Sequence, residues 1–237
     1  MEIRDKDLRV AKEKLAHRGW AVLTGLPFVH DDEPDISYIL RAAARFGRPS
    51  DREGGTPAWA VRPTSDDATQ TFSRRAGGAT LHTDAQYRRV PEHLVCLFAV
   101  RPAADGGISR ILGASDARSS LRGHERECWL LDRLARPHWA WEVPAPFGGE
   151  RPFRAAVLPG DGTIRWRADN LAACVDEESR EVAREFADRI ETAPEVVQLR
   201  LEAGDAVVLD NRRVLHGRTS FADRRRLMVR VRLWDRP

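Results

Sequence analysis

The sequence predicts a β core with helices packed outside it, as a single domain over residues 1–237. Three observations carry this expectation. Leu94-Val95-Cys96-Leu97-Phe98-Ala99-Val100 is an unbroken apolar run, the pattern of a strand buried on both faces. Residues 226–234 alternate strictly, with Leu227, Val229, Val231 and Leu233 on one face and Arg226, Met228, Arg230, Arg232 and Trp234 on the other. Stretches with a helical apolar stripe recur between short strands, with no internal repeat and no low-complexity linker.

Taken in order, 7–17 carries Leu8, Ala11, Leu15 and Ala16 at helical spacing and is stopped by Gly19. Trp20–Thr24 reads as a strand closed by Gly25. Asp35 can cap a helix over 35–46, whose stripe is Ile36, Ile39, Leu40, Ala43 and Phe46. Residues 50–79 are rich in Gly, Pro, Ser, Thr and Asp, lack periodicity and lead into His82, which suits a lid over a binding site. After the 94–100 strand, Asp105-Gly106-Gly107 turns the chain into a strand at 108–112. A helix capped by Ser115 and another over 125–136 follow, the latter broken by Pro137. Strands are expected at 138–143 and at 154–158 and 163–167, the last two forming a hairpin around Pro159-Gly160-Asp161-Gly162. An amphipathic helix over 176–190 precedes strands at 196–201 and up to Leu209.

Composition excludes several classes. No apolar run approaches the roughly 18–20 residues that a membrane span needs, and the charged start Met1-Glu2-Ile3-Arg4-Asp5-Lys6 is no apolar leader, so a cytoplasmic protein is expected. The net charge is +3 and the pI near 9.0, but lysine occurs only at 6, 12 and 14 and the arginines interleave with acids. That is a bias toward arginine, and no nucleic-acid partner is expected, although Arg224-Arg225-Arg226 is a local cluster. The three cysteines, Cys96, Cys128 and Cys174, are odd in number and widely spaced, and read as buried thiols.

Chemistry concentrates in two stretches. In Thr80-Leu81-His82-Thr83-Asp84 an extended chain points His82 and Asp84 to one face, as part of a metal site or as a polar pair at a strand end. In Asp210-Asn211-Arg212-Arg213-Val214-Leu215-His216-Gly217-Arg218 a turn after a buried strand brings His216 back across the core, as a third ligand or as a satisfied core histidine. On the alternating strand, Arg226 and Arg230 either face water or sit in a barrel mouth as carboxylate clamps, a task that suits the planar guanidinium; Arg232 is expected beyond the mouth, in solvent.

His82-x-Asp84, Gly106-Gly107-Ile108-Ser109, the block 210–218 and Arg226-x3-Arg230 follow one another in an order and spacing that resemble the taurine dioxygenase/clavaminate-synthase-like (TauD/TfdA) superfamily of Fe(II)- and 2-oxoglutarate-dependent oxygenases. The resemblance runs from about residue 20 to Trp234. It implies a double-stranded β-helix, a jelly-roll or cupin-like barrel, with one Fe(II) held by His82, Asp84 and His216 as metal and catalytic residues. Two imidazoles and one carboxylate leave positions open for 2-oxoglutarate and O2. It further implies that Arg226 pairs with the far carboxylate of 2-oxoglutarate, helped by Ser109, where the family usually has Thr. Succinate and CO2 would be the coproducts. With Asp84 present, halogenation is not expected.

For substrate, the resemblance matches Arg230 to an arginine that binds a substrate carboxylate. Asp169 is a candidate for a cationic amino group, and Gln86 and Tyr87 are candidates for the pocket wall. The expectation is hydroxylation of an sp3 C–H bond of a small amino-acid-like or carboxylate substrate, free or carrier-bound, in specialised metabolism. Desaturation, cyclisation and sulfonate oxidation by the same chemistry stand as alternatives, and a non-catalytic metal-binding barrel as one from another class. A zinc hydrolase on the same ligands would leave Arg226 without a purpose. The oligomeric state is not legible.

Overall fold

The computed structural model describes residues 3–52, 55–65, 71–143 and 153–235. Its centre is a pair of antiparallel sheets. The larger runs β1 (Trp20–Leu23), β10 (Ala206–Asp210), β7 (Leu94–Arg101) and β12 (Leu227–Trp234), with the short β4 (Arg48–Pro49) and β5 (Ala58–Val61) both pairing with β12. The smaller runs β6 (Ala79–His82), β11 (Val214–Arg218), β8 (Ser109–Gly113) and β9 (Val197–Leu199). Neighbours in each sheet come from distant parts of the chain, the jelly-roll arrangement the sequence suggested. A ribbon of β2 (Val29–His30) and β3 (Glu33–Pro34) lies outside both.

Period-two patterning divides the core into layers. On β7, Leu94, Cys96, Phe98 and Val100 face one cluster, which they share with α1 (Asp5–Arg18) and α2 (Ile36–Ala44); Val95 and Ala99 face another, between the sheets. On β12 the apolar residues Leu227, Val229, Val231 and Leu233 all face the helices. Met228 therefore points into the space between the sheets, and so do the arginines on its face of the strand. Behind the smaller sheet, α3 (Ala114–Ser119), α4 (Glu127–Ala135) and α5 (Glu177–Glu191) enclose Trp139, Trp141, Trp166 and Phe186. The caps follow local chemistry. The Asp35 carboxylate accepts the Tyr38 N–H at 2.9 Å and Asp176 accepts that of Ser179 at 2.8 Å. Gly19 ends α1 at φ +81°.

Several expectations are corrected. Residues 154–158 and 163–167 form no hairpin strands, although the turn between them closes on the Asp161 carboxylate. Arg165 N–H bonds the Val157 carbonyl at 3.0 Å across the turn, but the neighbouring groups are taken elsewhere: Val157 and Leu158 N–H bond the Leu134 carbonyl, and Ile164 N–H bonds that of Arg212. The strand expected at 138–143 is reduced to two isolated bridges, Trp139 with Ala155 and Trp141 with Leu171. The stretch 50–79 is not wholly irregular, because β5 joins the larger sheet; of that expected lid, residues 53–54 and 66–70 lie outside the described residues. Arg232 is not solvated. It is 5 % exposed, and its Nη1 lies 3.6 Å from Oε2 of the fully buried Glu92. Of the cysteines only Cys96 is buried, and Cys128 and Cys174 are exposed.

Candidate active site

The site is assembled by the pairing of β6 with β11. His216 stands directly opposite His82 in the register, so two imidazoles rise side by side, their ring centroids 4.5 Å apart. The approach of the strands depends on Gly217: a Cβ there would lie 2.6 Å from the Ala79 carbonyl oxygen, closer than any side chain tolerates. Asp84 follows immediately after β6. Its Oδ1 lies 3.7 Å from His82 Nε2 and 4.0 Å from His216 Nε2, and one ligating atom from each residue falls within 4.8 Å of the others. All three residues are buried.

A surrounding set of hydrogen bonds fixes their orientation. His82 Nδ1 donates to the Thr80 carbonyl at 2.7 Å, which leaves Nε2 with its lone pair toward the centre. Asn211 embraces the backbone of Asp84. Its Oδ1 accepts the Asp84 N–H at 2.7 Å and its Nδ2 donates to the Asp84 carbonyl at 3.0 Å, and also to that of Glu92 at 3.0 Å. Thr83, between the two ligands, donates its N–H to the Trp166 carbonyl at 2.8 Å, and its hydroxyl accepts the Trp166 N–H. Ala85 then turns away at φ +54°, a conformation that costs a non-glycine residue about 1–3 kcal/mol. Burial lowers the affinity of both histidines for protons, well below the usual range for His82, where His216 adds to the effect. For Asp84, burial works to raise the carboxyl, but Arg230 and the two histidines outweigh it and hold it below the usual carboxylate range. The result is two neutral imidazoles beside one carboxylate, the donor set of a facial triad for a divalent iron.

A cavity opens beside these three residues. Arg226 and Ser109 both line it. Arg226 is only 6 % exposed and has no carboxylate within ion-pairing distance among the described residues; its guanidinium instead lies 4.9 Å from the Phe221 ring. Gly107, at φ +64°, makes room for it, since a Cβ there would meet Arg226 Nε at 3.1 Å. Burial pulls the Arg226 pKa down to about 10 without neutralising the group at pH 7. A buried cation with no counter-charge is costly, so the position calls for an anion.

A second lobe shares His82, Asp84, Phe72, Ser73 and Arg230 with the first. Arg230 Nη1 lies 3.0 Å from Asp84 Oδ2, the carboxylate oxygen not turned to the histidines. Tyr87 lines this lobe. Asp169 is held by Arg167 through Nε at 2.7 Å and Nη2 at 3.0 Å, and it is Arg167 that lines the lobe. Gln86 is buried and donates to Asn170 Oδ1. Asn211, Phe72, Arg167 and Arg218 were not singled out by sequence reasoning. Of these only Asn211 offered a signal, as an amide at the end of a buried strand inside the 210–218 block.

The pattern of the taurine catabolism dioxygenase TauD, TfdA family matches residues 1–232. Among solved structures, the fold is shared with asparagine oxygenase in complex with Fe(II), (2S,3S)-3-hydroxyasparagine and succinate, at a TM-score of 0.73 and 20 % identity over 97 % of this chain and 78 % of that one. It is also shared with a variant of the non-heme iron oxygenase OrfP bound to (3S)-hydroxy-L-Arg, at 0.74 and 18 % over 98 % and 80 %. OrfP with Fe and alpha-ketoglutaric acid matches at 0.70 and 19 % over 98 % and 81 %.

Proposed function

Because the chain belongs to the taurine catabolism dioxygenase (TauD, TfdA) family, and is thereby an Fe(II)- and 2-oxoglutarate-dependent oxygenase, we propose that it hydroxylates an sp3 C–H bond of a small amino-acid-like or carboxylate substrate. The observation that carries this reading is the convergence of His82, Asp84 and His216 in one cavity with a buried Arg226 that has no carboxylate partner among the described residues. Bound iron with 2-oxoglutarate supplies the oxidation, in which one oxygen atom of O2 ends in the product hydroxyl and the other in succinate, with loss of CO2. His82, Asp84 and His216 would hold the metal. Arg226 would receive the far carboxylate of 2-oxoglutarate as a bidentate pair, with Ser109 at hand as a hydroxyl donor.

The second lobe would take the substrate. Its Arg230 would bind the substrate carboxylate while its contact with Asp84 Oδ2 keeps that ligand aligned. The relatives that carry hydroxyasparagine and hydroxyarginine favour an amino acid, and the tight pairing of Asp169 with Arg167 means that a substrate amino group must compete for that carboxylate. Tyr87 supplies wall, and Gln86 supports it through Asn170. Among the described residues no helix is long and apolar enough to cross a membrane; a cytoplasmic enzyme of specialised metabolism is part of the proposed reading.

The test is succinate formation from 2-oxoglutarate with anaerobically added Fe(II), across a panel of amino acids, N-acylated amino acids, sulfonates and small carboxylates. Stimulation by a panel member that is recovered hydroxylated is the expected result. Protein that binds iron but yields no succinate with any of them would favour a non-catalytic barrel. Slow uncoupled turnover alone would point to a carrier-bound substrate.

A further inference from the structure

Two buried guanidinium groups border the first lobe without a carboxylate partner among the described residues, and only Arg226 has so far been given a role. We propose that Arg218 is a second cation of the anion pocket and also the fastener of its 72–77 wall, so that filling the pocket and holding the wall are thermodynamically coupled. The proposal rests on the reading that this pocket receives 2-oxoglutarate.

Arg218 ends β11, two residues beyond His216, and is 8 % exposed. Its Nε donates to the Gly77 carbonyl at 3.1 Å, and its Nη2 to those of Phe72 at 2.8 Å and Arg75 at 3.0 Å. Three carbonyls satisfy donors but carry no net charge, so the positive charge stays uncompensated. Phe221 is shared between the two cations, with the Arg218 guanidinium 5.2 Å and that of Arg226 4.9 Å from its ring centroid. Burial, with Arg226 and Arg75 acting in the same sense, pulls the Arg218 pKa down to about 9. Like charges repel strongly in a desolvated setting, and an anion bound between them removes that repulsion. The segment Arg218 holds is functional wall: Phe72 and Ser73 border both lobes, and the Phe72 ring lies 5.3 Å from that of His82. An anion that steadies Arg218 therefore steadies this wall, and by linkage a steady wall favours the anion equally.

Arg74 and Arg75 lie in the fastened segment, so trypsin reports its opening directly. The experiment compares cleavage after residues 74 and 75, read by mass spectrometry, with and without 2-oxoglutarate in the presence of Mn(II), and measures 2-oxoglutarate affinity by calorimetry. In the unmodified protein, 2-oxoglutarate is expected to slow this cleavage about tenfold. Arg218→Gln should be cut faster without ligand and bind 2-oxoglutarate about tenfold more weakly. Arg218→Lys keeps the charge but cannot reach three carbonyls, so it should be cut faster and, through the coupling, bind 2-oxoglutarate more weakly than the unmodified protein but more tightly than Arg218→Gln. Arg226→Gln should lose affinity, and its ligand-free cleavage should be slower than that of the unmodified protein, because one of the two repelling charges is gone. Melting temperature and Mn(II) binding show which variants are folded; if Arg218→Gln is not, Arg218→Lys and ligand protection of the unmodified protein decide. Arg218→Gln binding normally, or 2-oxoglutarate that binds without slowing cleavage, would overturn the proposal and leave the oxygenase reading intact. Failure of the unmodified protein to bind 2-oxoglutarate at all would overturn both.

Discussion

Asn211 shows how much of a metal site lies outside its ligands. Its side-chain amide spends both ends on the backbone of Asp84, 127 residues away in sequence, and is 2 % exposed. Groups that orient a ligand typically contribute 10–100-fold to metal affinity. Asn211→Ala is expected to weaken Co(II) binding by about that factor, and to change the visible spectrum of the bound Co(II) as the Asp84 carboxylate loses its fixed direction. An unchanged affinity and spectrum would leave Asp84 positioned by Thr83 and Arg230 alone. Arg226 gives a complementary test. Removing a charge-assisted hydrogen bond costs about 1.5–3 kcal/mol, so Arg226→Gln should raise the 2-oxoglutarate KM about 10–100-fold with the iron requirement unmoved. The legibility of these residues differs for a physical reason. His82 and Asp84 are two apart on a strand, and strand geometry alone aligns them. Asn211 and Arg218 act by meeting backbone that is far away in the chain, and no spacing rule records such a meeting.

At the scale of elements, β7 was legible from an apolar run that no helix of its length would need and β12 from strict alternation along its whole length. The apolar face of β12 lies against the helices, which leaves Arg226 and Arg230 toward the cavity. Arg232, on that same face, was misread as solvated because its partner Glu92 lies in the stretch just before β7, where sequence offers no periodicity. Residues 154–167 keep one bond across the expected hairpin, Arg165 N–H to the Val157 carbonyl, but form no strand ladder because Val157, Leu158 and Ile164 N–H bond α4 and the 210–213 turn, a tertiary choice that overrides turn signals. Gly217 is the element-level weak point. Gly217→Ala would drive a methyl into the Ala79 carbonyl at 2.6 Å and against Thr80 at 3.1 Å, neither of which is a flexible side-chain end. Such overpacking costs about 1–3 kcal/mol, and here the strain falls on the strand pair that carries both histidines. Lower melting temperature and weaker Co(II) binding should appear together in thermal melts and metal titrations. A variant that is destabilised but binds metal normally would mean that the bulge beside His216 absorbs the methyl.

At the scale of the whole molecule, the charges that cross the core do the work of holding the site's rear wall. Glu92 is fully buried; its Oε1 accepts the Ser50 hydroxyl at 2.8 Å and its Oε2 faces Arg232, while its backbone carbonyl accepts Asn211 Nδ2. The N-terminal segment, the approach to β7, the 210–213 turn and β12 therefore meet at one residue. Breaking a buried pair from one side costs about 3–5 kcal/mol, because the remaining charge is stranded, whereas replacing both partners with apolar groups is often neutral. Arg232→Met should thus lower the melting temperature by roughly 6–20 °C, at about 2–4 °C per kcal/mol for a chain of this size. Adding Glu92→Leu to Arg232→Met should restore most of that loss in thermal melts, although the Ser50 hydroxyl then loses its acceptor. The pair lies behind Asn211, so the single variant should also weaken Co(II) binding, and the double variant should recover it. A double variant as unstable as the single would show that Glu92 contributes through Ser50 and its backbone, with Arg232 serving the second lobe of the cavity that it lines.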